Sequence, residues 1–158
     1  TKKYDNLPVA QTFSKSRSMA GARLGFGIGN KKLIQDLNTI KYSTNPYNVN
    51  RMTMAAGIGA LEDDEYMKKN CQTIIDNRQY TTDELKKIGF EMTDSKSNFI
   101  FAKHPEKDGK EIYLELKKRG ILVRHFDKPL LTQYNRITIG TKEQMQILID
   151  NLKEMVAQ

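Results

Sequence analysis

Residues 89–158 change hydrophobic period repeatedly, from alternation to helical spacing and back, and few folds accommodate that. "FEMT" (90–93) and "NFIFA" (98–102) read as strands separated by a polar turn. Asp108 with Glu111 makes a start like a capping box for a helix to Arg119, which Gly120 closes. "ILVRHF" (121–126) and "NRITIG" (135–140) read as two further strands. Thr141 with Gln144 is a second capping box, opening an amphipathic helix through Met145, Leu148, Ile149, Leu152 and Met155. The order is β-β-α-β-β-α, an α/β unit of α+β character in which helices cover a small sheet.

Upstream the pattern is different. Val9–Phe13 and Arg23–Ile28 read as short extended pieces. Asn30 can cap a helix through Ile40, with Leu33, Ile34 and Leu37 on one face. "STNPYNVN" (43–50) is a loop of turn formers, and a helix rich in Ala and Met follows from about Val49 to Leu61. "EDDEY" restarts helix, with Asp63 or Asp64 as its cap, and Gly89 ends it in a left-handed conformation. Three parts are expected: residues 1–45 with the extended pieces, linking helices over 46–88, and a small α/β domain over 89–158.

With 38% hydrophobic and 28% charged residues, the chain is of a globular class. Its net charge of +7, from 26 Lys and Arg against 19 Asp and Glu, favours anionic ligands. The lysines are scattered and tryptophan is absent, so no nucleic-acid surface is expected. Neither a membrane span nor a metal site is expected: one cysteine, Cys71, and two histidines, His104 and His125, make no ligand cluster. Cys71 is read as a buried thiol in a reducing cytoplasm. The chain opens on Thr1 rather than methionine, so further sequence upstream is expected.

The chemistry concentrates in "TFSKSRSMAGARLGFGIGN", Thr12 to Asn30. Its "GFGIG" lacks the spacing of a dinucleotide-binding loop. A lysine that loses its proton can attack carbonyls, and a phosphate beside it would need hydroxyls, backbone N–H groups and an arginine. Thr12, Ser14 and Arg23 supply these around Lys15, and Gly21 and Gly25 allow close backbone approach. Arg124 and Arg136, on neighbouring strands, read by themselves as charges at a sheet edge.

The segment "TFSKSRSMAGARLGF" resembles the cofactor-lysine motif of fold-type-I pyridoxal-phosphate aminotransferases: Ser/Thr-x-Ser-Lys, then Ala-Gly-x-Arg-x-Gly. "GILVRHFD" and "YNRITIGT" are similar to the end of the histidinol-phosphate branch, and "NPYNVN" resembles a loop that nears the neighbouring subunit's site. The resemblance covers essentially the whole chain. It implies that Lys15 is the Schiff-base lysine and moves the proton in catalysis, and that Thr12, Ser14 and Arg23 anchor the phosphate of pyridoxal 5'-phosphate. It implies that Arg136 binds the substrate's anionic group, with Arg124 helping. The implied reaction moves an amino group between histidinol phosphate and 2-oxoglutarate in histidine biosynthesis. The ligands are then small molecules: an amino donor, a 2-oxo acid and a phosphorylated amine. An aromatic-amino-acid aminotransferase or a threonine-phosphate decarboxylase would carry similar arginines.

The resemblance further implies a cytoplasmic homodimer and a chain matching the C-terminal portion of such an enzyme. That portion is the small domain with its mostly antiparallel sheet, preceded by part of the large cofactor-binding domain. Alone it is expected to be inactive. Residues from about 63 to 158 are expected to fold as a unit. The extended pieces near 9–28 would lack parallel neighbours and be disordered, rearranged or paired with another copy.

Overall fold

The structure is a computed structural model that describes residues 3–157. Its backbone forms two compact units, divided between Asn70 and Cys71.

In the first unit, β1 (Val9–Thr12) and β2 (Gly25–Ile28) pair antiparallel, Val9 opposite Ile28 and Thr12 opposite Gly25. The extended pieces therefore find their partners in each other, a correction to the expectation of strands without neighbours. The turn between them doubles back tightly. The Phe13 N–H donates to the Leu24 carbonyl at 3.1 Å, and the Met19 N–H donates to the Phe13 carbonyl at 3.1 Å. Phe13 is buried there, edge-on to Phe26 with ring centroids 5.9 Å apart.

Two helices follow because asparagines cap them. Asn30 accepts from the Leu33 N–H and opens α1 (Lys31–Thr44); Asn50 accepts from the Thr53 N–H and opens α2 (Arg51–Glu62). The first helix runs past its expected end at Ile40 into Thr44. Ser43 and Thr44 return their hydroxyls to the carbonyls of Thr39 and Ile40, so these turn formers stay helical. Asp63 ends α2 and, through its carboxylate, accepts from the Tyr66 N–H in the first turn of α3 (Asp64–Lys87).

The second unit holds the rest of α3 and a four-stranded antiparallel sheet. Its strands are β3 (Glu91–Met92), β4 (Phe99–Lys103), β5 (Arg124–His125) and β6 (Asn135–Thr138), in the order β3-β4-β6-β5. The helices are α4 (Gly109–Lys118) and α5 (Lys142–Ala157). Alternation on β4 and β6 sends Ile100, Ala102 and Ile137 into a core with Ile112 and Leu116 of α4 and Leu148, Ile149 and Leu152 of α5. Leu85, from the end of α3, completes it. Gly89 and Gly120 take positive φ, +86° and +78°, and stop α3 and α4 as expected. Cys71 is only half-buried, a correction to the buried thiol.

The sheet is shorter than the sequence suggests. Of "ILVRHF" only Arg124 and His125 pair, because the Ile121 N–H is drawn back to the Leu116 carbonyl at 2.9 Å to finish the helix end. Of the two expected capping boxes, Thr141 and Gln144 exchange bonds in both directions, at 2.9 and 3.3 Å. Asp108 accepts from the Lys110 and Glu111 N–H groups, at 2.9 and 3.0 Å.

These bonds, the Glu111 N–H foremost, hold the Asp108 carboxyl below the usual carboxylate range. A lowered pKa stabilises the fold above the unfolded value, and that gain is lost as the pH falls through the folded one. Asp108→Ala is therefore expected to cost about 1 kcal/mol at pH 7. The difference from wild type should begin to narrow below about pH 4 and close only as the pH falls through the lower folded value. Urea midpoints at pH 7 and pH 3 check this; a deficit that is the same at both would contradict it.

Candidate functional site

The chain carries two groups of candidate residues, one in each compact unit.

The first surrounds Lys15, at the head of the turn between β1 and β2. Thr12 and Ser14 come together there. The Thr12 hydroxyl donates to the Ser14 hydroxyl at 2.8 Å, and the Ser14 N–H donates back to Thr12 Oγ1 at 3.0 Å. Lys15 is exposed, and its amine has no hydrogen bond or ion pair among the described residues. Arg23 follows the short 3-10 turn Ala20–Ala22 with φ at 55°, a left-handed conformation that costs a non-glycine residue about 1–2 kcal/mol. Its guanidinium reaches back only to the Ala20 carbonyl, at 3.2 Å. Space around Gly21 is open, with nothing within 4 Å of where a Cβ would stand.

Arg17 was not singled out by the sequence reading, yet it anchors this turn. Its guanidinium bonds the Ala60 carbonyl, makes an ion pair with Asp64 at 2.8 Å and lies over the Phe13 ring at 5.8 Å. The Arg17 hydrogen bond holds the Asp64 carboxyl below the usual range. No sequence signal separates Arg17 from Arg23, since the Asp64 partner lies far along the chain.

Two hydroxyls, a guanidinium and an amine on one turn form a donor set suited to a phosphate-bearing aldehyde, with the amine for the carbonyl and the others for the phosphate. Pyridoxal 5'-phosphate is such a molecule, and the residues present fit it.

The second group lies on the sheet face opposite the core. Arg124 and Arg136 are direct cross-strand partners, and Phe101 pairs with Arg136 on the other side. Like charges placed directly opposite each other weaken a sheet. Among the described residues, no carboxylate lies within 4 Å of either guanidinium. Aromatic rings flank them instead. Arg136 lies 5.4 Å from the Phe99 ring and 5.9 Å from Phe126, and Arg124 lies 5.5 Å from Phe126. The Nε of Arg136 is buried without an acceptor. Phe101 stacks on Tyr134 at 4.6 Å, extending the aromatic floor. The sequence reading named the two arginines and missed the rings. The alternation in "NFIFA" was the available signal, since it puts Phe99 and Phe101 on one face and Ile100 on the other.

Known proteins with this sequence and fold are consistent in kind. A histidinol-phosphate aminotransferase of Brachyspira hyodysenteriae is 52% identical over 99% of this chain, which spans 44% of that protein's length. Among solved structures, the histidinol-phosphate aminotransferase of Clostridium acetobutylicum superposes with a TM-score of 0.87 at 28% identity, over 99% of this chain and 47% of that one. The Sinorhizobium meliloti histidinol-phosphate aminotransferase, solved with pyridoxal-5'-phosphate, superposes with a TM-score of 0.82 at 28% identity, over 97% of this chain and 42% of that one. The chain thus spans less than half the length of these relatives. The family model for class I and II aminotransferases matches residues 1–152, nearly the whole sequence, and the chain belongs to that family.

Proposed function

We propose that this chain forms part of a pyridoxal-phosphate-dependent aminotransferase that exchanges an amino group between histidinol phosphate and 2-oxoglutarate in histidine biosynthesis. The observation that carries the reading is the Arg124–Arg136 pair: two guanidinium groups set opposite each other, flanked by rings and without a carboxylate among the described residues. Such a pair is completed by an anion, and guanidinium accepts carboxylate and phosphate alike. One site can then hold both the glutamate-type substrate and the phosphorylated one.

In this reading Thr12, Ser14 and Arg23 bind the cofactor phosphate, and the turn anchored by Arg17 keeps them together. When bound, pyridoxal 5'-phosphate supplies an electron sink for the charge that develops at the substrate α-carbon. The Lys15 amine takes the proton from that carbon and returns one, acting as base and then as acid. Arg124 and Arg136 bind the substrate by its anionic end.

Residues 1–45 would belong to the cofactor-binding part, 46–88 to the linking helices and 89–158 to the small domain. The working enzyme would be a cytoplasmic homodimer. Tyr47, 90% exposed in the loop expected near a neighbouring subunit, supports the dimer, and the single cysteine supports a reducing compartment.

Arg136→Ala in the full-length protein is expected to raise KM for both the amino donor and the phosphorylated substrate. Losing a charged hydrogen bond costs about 1.5–3 kcal/mol, about ten- to a hundredfold. Steady-state kinetics with both substrates provide the check. Unchanged KM values for both would make Arg136 a sheet residue only, and absence of turnover with histidinol phosphate in the wild type would move the assignment to another branch of the family.

A further inference from the structure

Strand β5 is held to the sheet by only two rungs, Arg124 opposite Arg136 and His125 opposite Asn135. The first sets two positive charges face to face and opposes pairing. The second must carry the strand. Side chains alternate between faces, so His125 and Asn135 lie behind the arginine face, one residue from each guanidinium.

These two side chains are joined. His125 Nδ1 lies 3.3 Å from Asn135 Oδ1. Asn135 is only 4% exposed, and its Nδ2 donates to the Gly109 carbonyl at 2.8 Å. That second bond decides which way the amide points, because the reverse orientation would set two oxygens against each other. Asn135 Oδ1 therefore faces the imidazole and can only accept, so Nδ1 of His125 carries the proton. The other ring nitrogen, Nε2, is buried with no partner among the described residues. The ring also stacks on Tyr113 of α4, with centroids 5.7 Å apart and planes 22° apart. Gly109 leaves no slack in this arrangement: a Cβ there would come within 2.6 Å of the Gln133 backbone, just before β6.

We propose that His125, acting through Asn135 and the Gly109 carbonyl, is the positioning residue that holds Arg124 opposite Arg136. The anion site is then aligned from behind by a side-chain relay on the opposite face of the sheet. This inference rests on reading the arginine pair as an anion site.

The test uses the full chain with inorganic phosphate as the probe, measured by calorimetry. It adds two readouts independent of the anion: the imidazole tautomer from nitrogen-15 shifts, and hydrogen exchange of the β5 and β6 amides. Wild type should show the Nδ1–H tautomer. His125→Asn keeps a donor near the Nδ1 position and should bind phosphate within about twofold of wild type. His125→Gln puts its donor too far along the side chain, and His125→Phe keeps the stack on Tyr113 with no donor. Both should bind about tenfold more weakly and lose amide protection in β5. The proposal is overturned by an Nε2–H tautomer, by wild-type affinity in the Gln and Phe variants, or by an Asn variant as weak as Phe. If wild type binds no phosphate, the anion-site reading fails and amide protection decides the relay. Protection kept in Asn and lost in Gln and Phe supports it; equal protection in all three ends it.

Discussion

Lys15→Ala in the full-length protein is expected to lower kcat for transamination by about 10²- to 10⁴-fold, the scale at which a positioned acid–base group contributes. Lys15 directly follows Ser14, whose hydroxyl is bonded to Thr12, and its exposed amine has no partner among the described residues. Lys15→Arg should be equally impaired. It keeps the positive charge, but a guanidinium does not give up its proton near neutral pH. That comparison separates proton transfer from simple charge. Borohydride treatment of the full-length protein with pyridoxal 5'-phosphate should leave the pyridoxyl group on the peptide containing Lys15. A label on another lysine, or a Lys15→Arg variant that keeps wild-type turnover, would remove Lys15 from the role.

Elements fixed by local bonding were legible in the sequence. Asn30, Asp108 and Thr141 each open the helix assigned to them, since a cap is a contract between residues two or three apart. Gly89 and Gly120 end theirs for an equally local reason, the positive φ that a glycine takes without cost. What depends on distant partners was less legible. "ILVRHF" alternates well enough for a strand along its length, but β6 offers it only two rungs. The pairing of β1 with β2 was not foreseen, because the reading assigned those strands to parallel neighbours rather than to each other.

The candidate site divides in the same way. Lys15, Thr12, Ser14 and Arg23 lie close together along the chain, so the resemblance of one segment picks them out as candidates before any fold is known. The opposition of Arg124 and Arg136 was legible only as two arginines on neighbouring strands; their register needed the structure. Phe99 and Phe126 were ordinary apolar or strand residues until that register set them beside the guanidinium groups. Arg17 and His125 were hidden most fully. Arg17 meets an acid forty-seven positions away, and His125 meets an asparagine across a rung. Nothing in the sequence marks His125, whose Nδ1 lies 3.3 Å from Asn135 Oδ1 while Nε2 is buried without a partner among the described residues.

Leu85→Ala should be among the most damaging core substitutions in the second unit, costing about 3 kcal/mol or more. Leu85 is 0% exposed and joins the last turn of α3 to the core beneath the sheet. Its carbonyl also accepts from the Ile88 and Phe90 N–H groups, at 3.2 and 3.0 Å, where the helix stops. The backbone around the side chain is therefore pinned and cannot collapse into the space left by truncation, which puts the cost toward the upper part of the usual range. Against a total stability of about 5–15 kcal/mol, that is a large share. For a unit of this size the midpoint should fall by about 12–24 °C. Leu122→Ala is the matched control. Leu122 sits in an equally apolar stretch of sequence but is 79% exposed, so its loss should change stability by no more than about 0.5 kcal/mol. Thermal and urea unfolding of both variants measure the contrast. If Leu122→Ala proves as costly as Leu85→Ala, the core described here is not the one that holds this unit together.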